Sequence, residues 1–263
     1  MRHNKFLDNL CLILVFLFLF LPILVLILFS FNTSEMNIVF EGFTLHWYKD
    51  LFSNRALIEA LINTLIVAVV STIISTIVGT ISAYALYKYN FRFKKLINEL
   101  IYIPVVIPEI VLGISLLCIY TLINLELGMV TLILAHISFS LPFVIINVRS
   151  VLENMDPNLE KAASDLGASK IKTFFYIVVP SLMPGILSGA QLAFTLSLDD
   201  VVISYFTSGP GSNTLPLHIF SMIKTGVTPD VNALISLMLL VIFTTLTITT
   251  LINIRKMKGE IER

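Results

Sequence analysis

Long uninterrupted runs of apolar residues, separated by short polar segments, dominate the hydrophobicity pattern of this chain. Six of the runs are long enough, or nearly so, for helices that cross the roughly 30 Å of hydrocarbon in a membrane. The pattern predicts an all-α, polytopic membrane protein with a single transmembrane domain over residues 1–263. The predicted spans lie near residues 10–31, 60–87, 100–123, 128–148, 181–206 and 233–254.

Composition supports a membrane protein, because 57% of the residues are hydrophobic and only 13% are charged. Soluble domains carry about 25% charged residues. The first apolar run is longer than the core of a signal peptide and no small-residue cleavage site follows it, so we expect a retained anchor. Cys11 and Cys118 lie in apolar runs without disulfide or metal-ligand spacing, and we expect no metal site.

Lysine and arginine are distributed unevenly among the polar segments. Fourteen of the 17 lie in the two terminal tails, the 88–95 loop and the 149–180 segment, which share one side of the membrane if there are six spans. Only Lys49, Arg55 and Lys224 fall on the other side. Because cytoplasmic loops are enriched in basic residues, we expect both termini and the 149–180 segment to be cytoplasmic.

Small residues recur at every fourth position of the fifth span, and they are Gly185, Gly189, Ala193 and Ser197. Such a stripe allows membrane helices to pack closely. The same span contains two adjacent carboxylates, in FTLSLDDVVISYF. At about 100° per residue, Asp200 falls near the middle of the stripe and Asp199 at its edge. Both are therefore expected to face neighbouring helices or a central cavity, and Asp200, at the centre of the stripe, is expected to be the more important of the two.

The two aspartates need partners, because a charge at the centre of a membrane helix costs about 2.5–3.5 kcal/mol on insertion scales. No Lys or Arg lies in any predicted span. We therefore expect the partner to come from outside the chain, as water, another subunit or a cationic substrate. The alternative is a hydrogen-bonded group buried within the bundle.

Glu109 is the third carboxylate within the spans, and it follows Pro108, one turn after Pro104. Two prolines loosen a helix, which is tolerated where it lines a cavity. With Glu109 at mid-depth and the aspartates nearer the outer face, we expect a column of separated negative charge for a molecule with several ammonium groups. Trp47 can add cation–π attraction, the alternative being an interfacial anchor. His136 is expected to form hydrogen bonds between helices.

The segment between the fourth and fifth spans, ENMDPNLEKAASDLGASKIKTFFYIVVP, is predicted to form two short helices. Asp156 suits the N-cap of the first helix and Gly167 its end. Ser169 can cap the second, which we expect Pro180 to end. One face of the first helix is apolar and contains Leu159, Ala162, Ala163 and Leu166. This face either packs on the chain's own bundle or docks on a partner.

EKAASDLGASKIKTFFYIVVP resembles the EAA motif of bacterial ABC importer permeases. In that family the motif forms a coupling helix that sits in a groove of the ATPase subunit. Ala162, Ala163 and Gly167 match the motif, whereas Lys161 stands at its glutamate position, with Glu160 one residue earlier. The resemblance implies that these five residues couple transport to the ATPase.

FTLSLDDVVISYF and NTLPLHIFSMIKTGVTPDVNAL resemble the C permease subunits of spermidine/putrescine ABC importers, and the resemblance extends over nearly the whole chain. It implies polyamine import in a bacterial inner membrane, and no nucleic acid. The implied partners are a second related permease, two ATPase subunits that bind ATP and Mg²⁺, and an external polyamine-binding protein. We expect the substrate pathway to include Trp47, Glu109, Ser197, Asp199 and Asp200.

The residues alone leave other functions open. SMIKTG contains two signatures of penicillin-binding enzymes, but Lys224 would have to serve both, and we do not expect an enzyme. No P-loop sequence occurs, so ATP must be bound by another chain. The alternatives are a permease for iron, a phosphonate or another small solute, and a secondary cation transporter. The choice between spermidine and putrescine is also open.

Overall fold

The computed structural model describes residues 5–35, 38–224 and 226–261. Within these ranges the chain is helical and contains no β-strand, only one isolated bridge between Asn32 and Phe43. The predicted all-α class is therefore confirmed. Arg2 and Arg263, two of the basic residues that predict the orientation, lie outside the described ranges.

Twelve α-helices occur in the described ranges. They are α1 (Lys5–Phe29), α2 (His46–Asp50), α3 (Arg55–Lys88), α4 (Lys94–Val106), α5 (Glu109–Leu122), α6 (Met129–Leu152), α7 (Asn158–Asp165), α8 (Lys170–Thr173), α9 (Val179–Asp199), α10 (Val202–Thr207), α11 (Leu215–Ser221) and α12 (Pro229–Ile261).

By length and composition, four of the described segments can cross a membrane, or five if α4 and α5 together form one broken span. The four are Asn9–Phe29, Arg55–Lys88, Met129–Leu152 and Lys170–Asp199. The apolar part of α12, Pro229–Thr245, is shorter. The six spans and the side of each terminus stay predictions.

The first of two compact units comprises Met1–Ile58 and Ser221–Arg263. It contains α1 and α2, and α12 packs on both. Most apolar side chains of α1 are exposed on all sides of the helix, as in a helix surrounded by lipid. Asn54, just before α3, donates a 2.7 Å hydrogen bond to the Asp230 carboxylate in α12.

The second unit, Glu59–Phe220, is built around α6, with α9 packed along it. The stripe of small residues is buried in this contact. A Cβ atom at Gly185 would lie 2.9 Å from the carbonyl oxygen of Asn147, and one at Gly189 would lie 3.1 Å from Cα of Val144. The predicted role of the stripe in close helix packing is therefore confirmed.

The third predicted span is not one helix, because the axes of α4 and α5 differ by 114°. Pro108 explains the break, since the residue before a proline is driven to extended backbone. Ile107 accordingly has φ −71° and ψ 137°. Pro104 lies inside α4 without ending it. A single continuous helix over residues 100–123 is therefore excluded, whereas a span formed by α4 and α5 together stays a prediction.

The fifth predicted span also differs from a single helix. The second helix of the loop was expected to end at Pro180, which is wrong, because α8 continues through a π-helical turn at Phe174–Val178 into α9. A π turn widens the helix and accommodates a proline, which has no N–H. At its other end α9 stops at Asp199, Asp200 is extended with ψ 128°, and α10 follows.

Candidate functional site

One cavity in the second unit, of about 260 Å³, is lined by Glu109, Asp199 and Asp200, and we call it the acidic cavity. The bend between α4 and α5 and the break between α9 and α10 bring them there. The other lining residues are Phe139, Leu196, Val201 and Val202. The prediction of a column of separated charges is therefore wrong, because the bend at Pro108 turns the start of α5 toward the same cavity as the end of α9.

Asp200 is 7% exposed, and its oxygens are bound by groups of this chain. Oδ1 accepts a hydrogen bond from the N–H of Ile203 at 3.1 Å, and Oδ2 accepts bonds from the N–H and hydroxyl of Ser204, both at 2.7 Å. Nε2 of His136 lies 3.4 Å from Oδ2. A partner from outside the chain is therefore a wrong prediction for Asp200, which is a hydrogen-bonded group within the bundle.

His136 forms hydrogen bonds between helices, as predicted. The side chain is 1% exposed, with Nδ1 2.7 Å from Oγ of Ser197 in α9 and Nε2 3.1 Å from Oγ of Ser204 in α10. Ser197 also lies 3.3 Å from the hydroxyl of Ser71 in α3. Ser197, expected on the substrate pathway, is thus buried among helices and is not one of the residues that line the acidic cavity.

Asp199 and Glu109 are the exposed carboxylates of the acidic cavity. Neither takes part in the ion pairs found among the described residues. Their charges are therefore available to a ligand, while Phe139 and Leu196 make part of the same wall apolar. Such a site attracts a cation with apolar parts and repels anions.

Trp47 lies in α2, in the first unit. Its indole N–H donates a 2.6 Å hydrogen bond to the carbonyl oxygen of Asn32. The ring centre lies 5.4 Å from that of His46. The hydrogen bond ties α2 to the segment that follows α1, and the part of Trp47 in a substrate pathway stays a prediction.

The N-cap of α7 is Pro157, one residue after the predicted cap Asp156, but the Asp156 side chain still binds the start of the helix and Gly167 ends it as predicted. Oδ1 of Asp156 accepts a 2.9 Å bond from a backbone N–H at the start of α7. Gly167 has φ +80°. Its N–H donates to the carbonyl of Ser164, and the N–H of Ala168 donates to the carbonyl of Ala163. This pair of bonds is the Schellman arrangement that ends a helix in a left-handed residue.

The apolar face of α7 is largely uncovered. Ala163 is 5% exposed, but Leu159 and Leu166 are 41% and 88% exposed, and Ala162 is exposed as well. Of this face, only Ala163 packs on the chain's own bundle, and the alternative in which the whole face packs there is wrong. Exposed apolar side chains grouped on one face are typical of an interaction surface.

Glu160 connects α7 to the end of α3. Its Oε2 accepts hydrogen bonds from the hydroxyl of Tyr84 at 2.9 Å and from the ammonium of Lys88 at 2.5 Å. The ring of Tyr84 lies 5.0 Å from that of Phe174. Lys161 is exposed. Sequence reasoning missed Tyr84 and Lys88, because an aromatic residue and a lysine in the last turns of a span are common at membrane surfaces.

Solved structures with a similar fold come from ABC transporters. One chain of a bacterial ABC transporter involved in the import of the acidic polysaccharide alginate has a TM-score of 0.74 and 14% identity, with 95% of this chain and 97% of that chain covered. A chain of the inward-facing MetNI methionine ABC transporter has a TM-score of 0.57 and 17% identity, with coverages of 77% and 93%. At these identities the likeness shows the fold alone.

Residues 75–255 match the family described as binding-protein-dependent transport system inner membrane component. The match covers more than half of the chain, which therefore belongs to this family and is an inner membrane component of a transport system.

The chain is 41% identical over 231 residues to the spermidine/putrescine transport system permease protein PotC of Escherichia coli K12, with 88% of each protein covered. It is 40% identical over 224 residues to PotC of Haemophilus influenzae, with 85% and 87% covered. The putrescine transport system permease protein PotI of E. coli K12 is 40% identical over 217 residues, with 80% and 77% covered.

Proposed function

We propose that this chain is one of two permease subunits of an ATP-driven polyamine importer and forms half of the pathway for spermidine or putrescine. The observation that carries the proposal is the identity of 41%, over 88% of both proteins, to a spermidine/putrescine permease. The acidic cavity supports it independently, because a polyamine consists of ammonium groups joined by apolar methylene segments.

Asp199 and Glu109 attract the ammonium groups of the substrate at the acidic cavity, and Phe139 and Leu196 contact its methylene groups. The attraction between opposite charges is stronger beside apolar walls than in bulk water. Two exposed carboxylates still hold a cation weakly enough for it to leave, which transport requires. The same charges disfavour a phosphonate.

The chain has six spans in this proposal, with α12 as the last and both termini in the cytoplasm, in agreement with the uneven distribution of its basic residues. A second, related permease completes the pathway, and an external polyamine-binding protein delivers the substrate. Two ATPase subunits bind ATP and Mg²⁺ and supply the energy, so this chain is not itself an enzyme.

We assign the coupling role to α7 and the turn after it. Leu159 and Leu166 are exposed on one face of the loop and can fill pockets of an ATPase subunit. Ala162 is exposed between these two leucines and lets the partner's backbone approach closely, whereas Ala163 is covered by this chain. The contacts of Glu160 with α3 link α7 to a span, so that a movement of the ATPase surface is transmitted into the membrane domain.

Uptake of labelled spermidine by vesicles that contain the whole importer tests the proposed substrate. We expect uptake to require the binding protein, and to require ATP on the side of the membrane where the ATPase subunits lie. Unlabelled spermidine or putrescine should inhibit it. Inhibition by an iron chelate or a phosphonate instead would assign another solute. Uptake without ATP would indicate a secondary transporter.

The acidic cavity is tested by removing one charge at a time. Asp199→Asn and Glu109→Gln should each raise the KM for spermidine about tenfold, because the loss of a charged hydrogen-bond partner costs about 1.5 kcal/mol. Glu126→Gln, at an exposed carboxylate outside the cavity, is the matched control and should leave KM unchanged. A normal KM in both cavity variants would remove this cavity from the pathway.

A further inference from the structure

One side chain of α6 bridges the break between α9 and α10. The Nδ1 atom of His136 lies 2.7 Å from the hydroxyl of Ser197 in α9, and its Nε2 atom lies 3.1 Å from the hydroxyl of Ser204 in α10. Between these two serines the chain leaves the helix at Asp200 and Val201. All three bonded side chains are buried, so the imidazole sets the spacing of the two helices across the break.

The protons around the ring admit few arrangements. The Ser204 hydroxyl has one proton, which it donates to Oδ2 of Asp200 at 2.7 Å. Nε2 of His136 must therefore carry a proton and donate it toward Ser204, with Oδ2 of Asp200 at 3.4 Å on the same side. Nδ1 accepts a hydrogen bond from the Ser197 hydroxyl when the ring is neutral and donates a hydrogen bond to it when the ring is charged. In both states an N–H of the imidazole faces Asp200.

Asp200 is thereby satisfied within the chain. Its two oxygens accept three hydrogen bonds from the first residues of α10, and the histidine N–H stands beside them. A buried carboxylate held in this way has little capacity left for a ligand. Asp199, the next residue along the chain, is exposed and belongs to the same cavity.

The position of α10 also determines where Glu109 lies. α5 packs on α10, and the contact is close at Gly113, where a Cβ atom would lie 2.7 Å from the ring of Phe206. Glu109 is the first residue of α5, one turn before Gly113. A shift of α10 therefore moves Glu109 relative to Asp199.

We propose that His136 is a positioning residue of the cation site. It holds Asp200 as the cap of α10, fixes the break between α9 and α10, and so sets the separation of Asp199 and Glu109, the two carboxylates that bind the cation. The proposal rests on the proposed function, in which the cation is an ammonium group of a polyamine. Asp200 then stabilises the site and does not bind the substrate.

The test uses the whole importer in vesicles, with spermidine as the probe. In His136→Asn an amide can reach Ser197 from the position of Nδ1, but nothing replaces Nε2, and we expect KM to rise about tenfold with Vmax little changed. In His136→Gln the amide reaches the position of Nε2, and KM should stay within about twofold of wild type. Ser138→Ala, on the exposed side of α6, is the control and should behave as wild type.

A double-mutant cycle between His136 and Asp200 distinguishes a positioning role of His136 from a general packing defect. The effects of His136→Asn and Asp200→Asn on KM should not multiply, because both remove the same contact. The effects of His136→Asn and Asp199→Asn should come closer to multiplying, because Asp199 contacts the cation directly. An unchanged KM in His136→Asn, or effects that multiply with Asp200→Asn, would overturn the proposal. If His136→Asn does not assemble, Ser204→Ala takes its place in the cycle, with the same expectation.

The same cycle of variants, measured as the thermal midpoint of the detergent-solubilised importer, needs no polyamine. One outcome is that the effects of the His136 and Asp200 variants on the thermal midpoint are not additive, while the wild-type importer takes up no polyamine. This outcome would refute the proposed function but would keep the contact between His136 and Asp200. Coupling in neither measurement would refute the positioning role while leaving polyamine transport intact.

Discussion

Replacing Gly185 with alanine should destabilise the importer by separating α9 from α6. The added Cβ would lie 2.8 Å from Cγ2 of Val151, 2.9 Å from the carbonyl oxygen of Asn147 and 3.2 Å from Cα of Val148. The methyl group of Val151 can move by rotation of its side chain. The other two atoms belong to the backbone of α6, so the helices themselves must move apart.

The expected cost follows from these distances. Non-bonded carbon atoms in favourable contact are about 3.5–4.0 Å apart, so the backbone of α9 must move by about half an ångström. Overpacking of a close-packed interior costs about 1–3 kcal/mol, and we expect about 2 kcal/mol for Gly185→Ala. At Gly189 the nearest atom, Cα of Val144, is 3.1 Å away and the next are at 3.4 Å. Gly189→Ala should therefore cost about 1 kcal/mol.

The assay is the temperature at which half of the purified importer is lost from the intact-complex peak in size-exclusion chromatography after heating. Gly185→Ala should have the lowest midpoint and Gly189→Ala the next. Gly128→Ala is the matched control, because a Cβ there meets no atom within 4 Å and the backbone is extended with φ 172°. Equal midpoints for Gly185→Ala and Gly128→Ala would refute the reasoning that this face has no room for a Cβ.

Three further expectations concern the loop and the topology. Gly167 has φ +80°, so Gly167→Val should cost at least about 1 kcal/mol, because valine is strained in left-handed backbone, and should reduce the stimulation of ATPase activity by loaded binding protein. Gly167→Asn should be tolerated, because asparagine adopts this backbone more readily. Equal ATPase stimulation in the two variants would exclude the backbone as the cause. Tyr84→Phe should remove one hydrogen bond to Glu160, worth about 1.5 kcal/mol, and lower transport per ATP hydrolysed without changing the KM for spermidine; a change in KM alone would contradict a role in coupling. A cysteine at Asn213, in a cysteine-free background, should react with an impermeant thiol reagent in intact cells, and labelling only after lysis would reverse the predicted orientation.

Features that depend on neighbouring residues were predictable. The bond of the Asp156 side chain to the start of α7, the left-handed turn at Gly167 and the cap at Ser169 follow from hydrogen bonds and backbone preferences within one helical turn. The long apolar runs likewise predict α1, α3 and α6, because a span of that length in hydrocarbon must satisfy its backbone internally. The small-residue stripe of α9 was found from its four-residue period.

Two errors came from reading prolines one at a time. Pro180 was expected to end a helix, but the π turn before it lets the helix continue. Pro108 was expected only to loosen a span, yet it accompanies a bend of 114°. The size of a bend depends on what the two halves pack against, and α5 packs on α10, a contact that no local pattern reveals.

The sequence by itself determined the helical class, the long apolar helices α1, α3 and α6, the left-handed end of α7 and the three carboxylates in apolar surroundings, because each is a property of composition or of residues a few positions apart. Tertiary structure alone decided which carboxylate is buried and which is exposed. Asp199 and Asp200 are neighbours of the same type, and what distinguishes them is that Asp200 accepts hydrogen bonds from α10 and lies beside His136 of α6. The tertiary structure also decided that Glu109 shares a cavity with Asp199. The two side chains meet only because of two helix breaks, whose angles are set by packing between residues far apart in the chain.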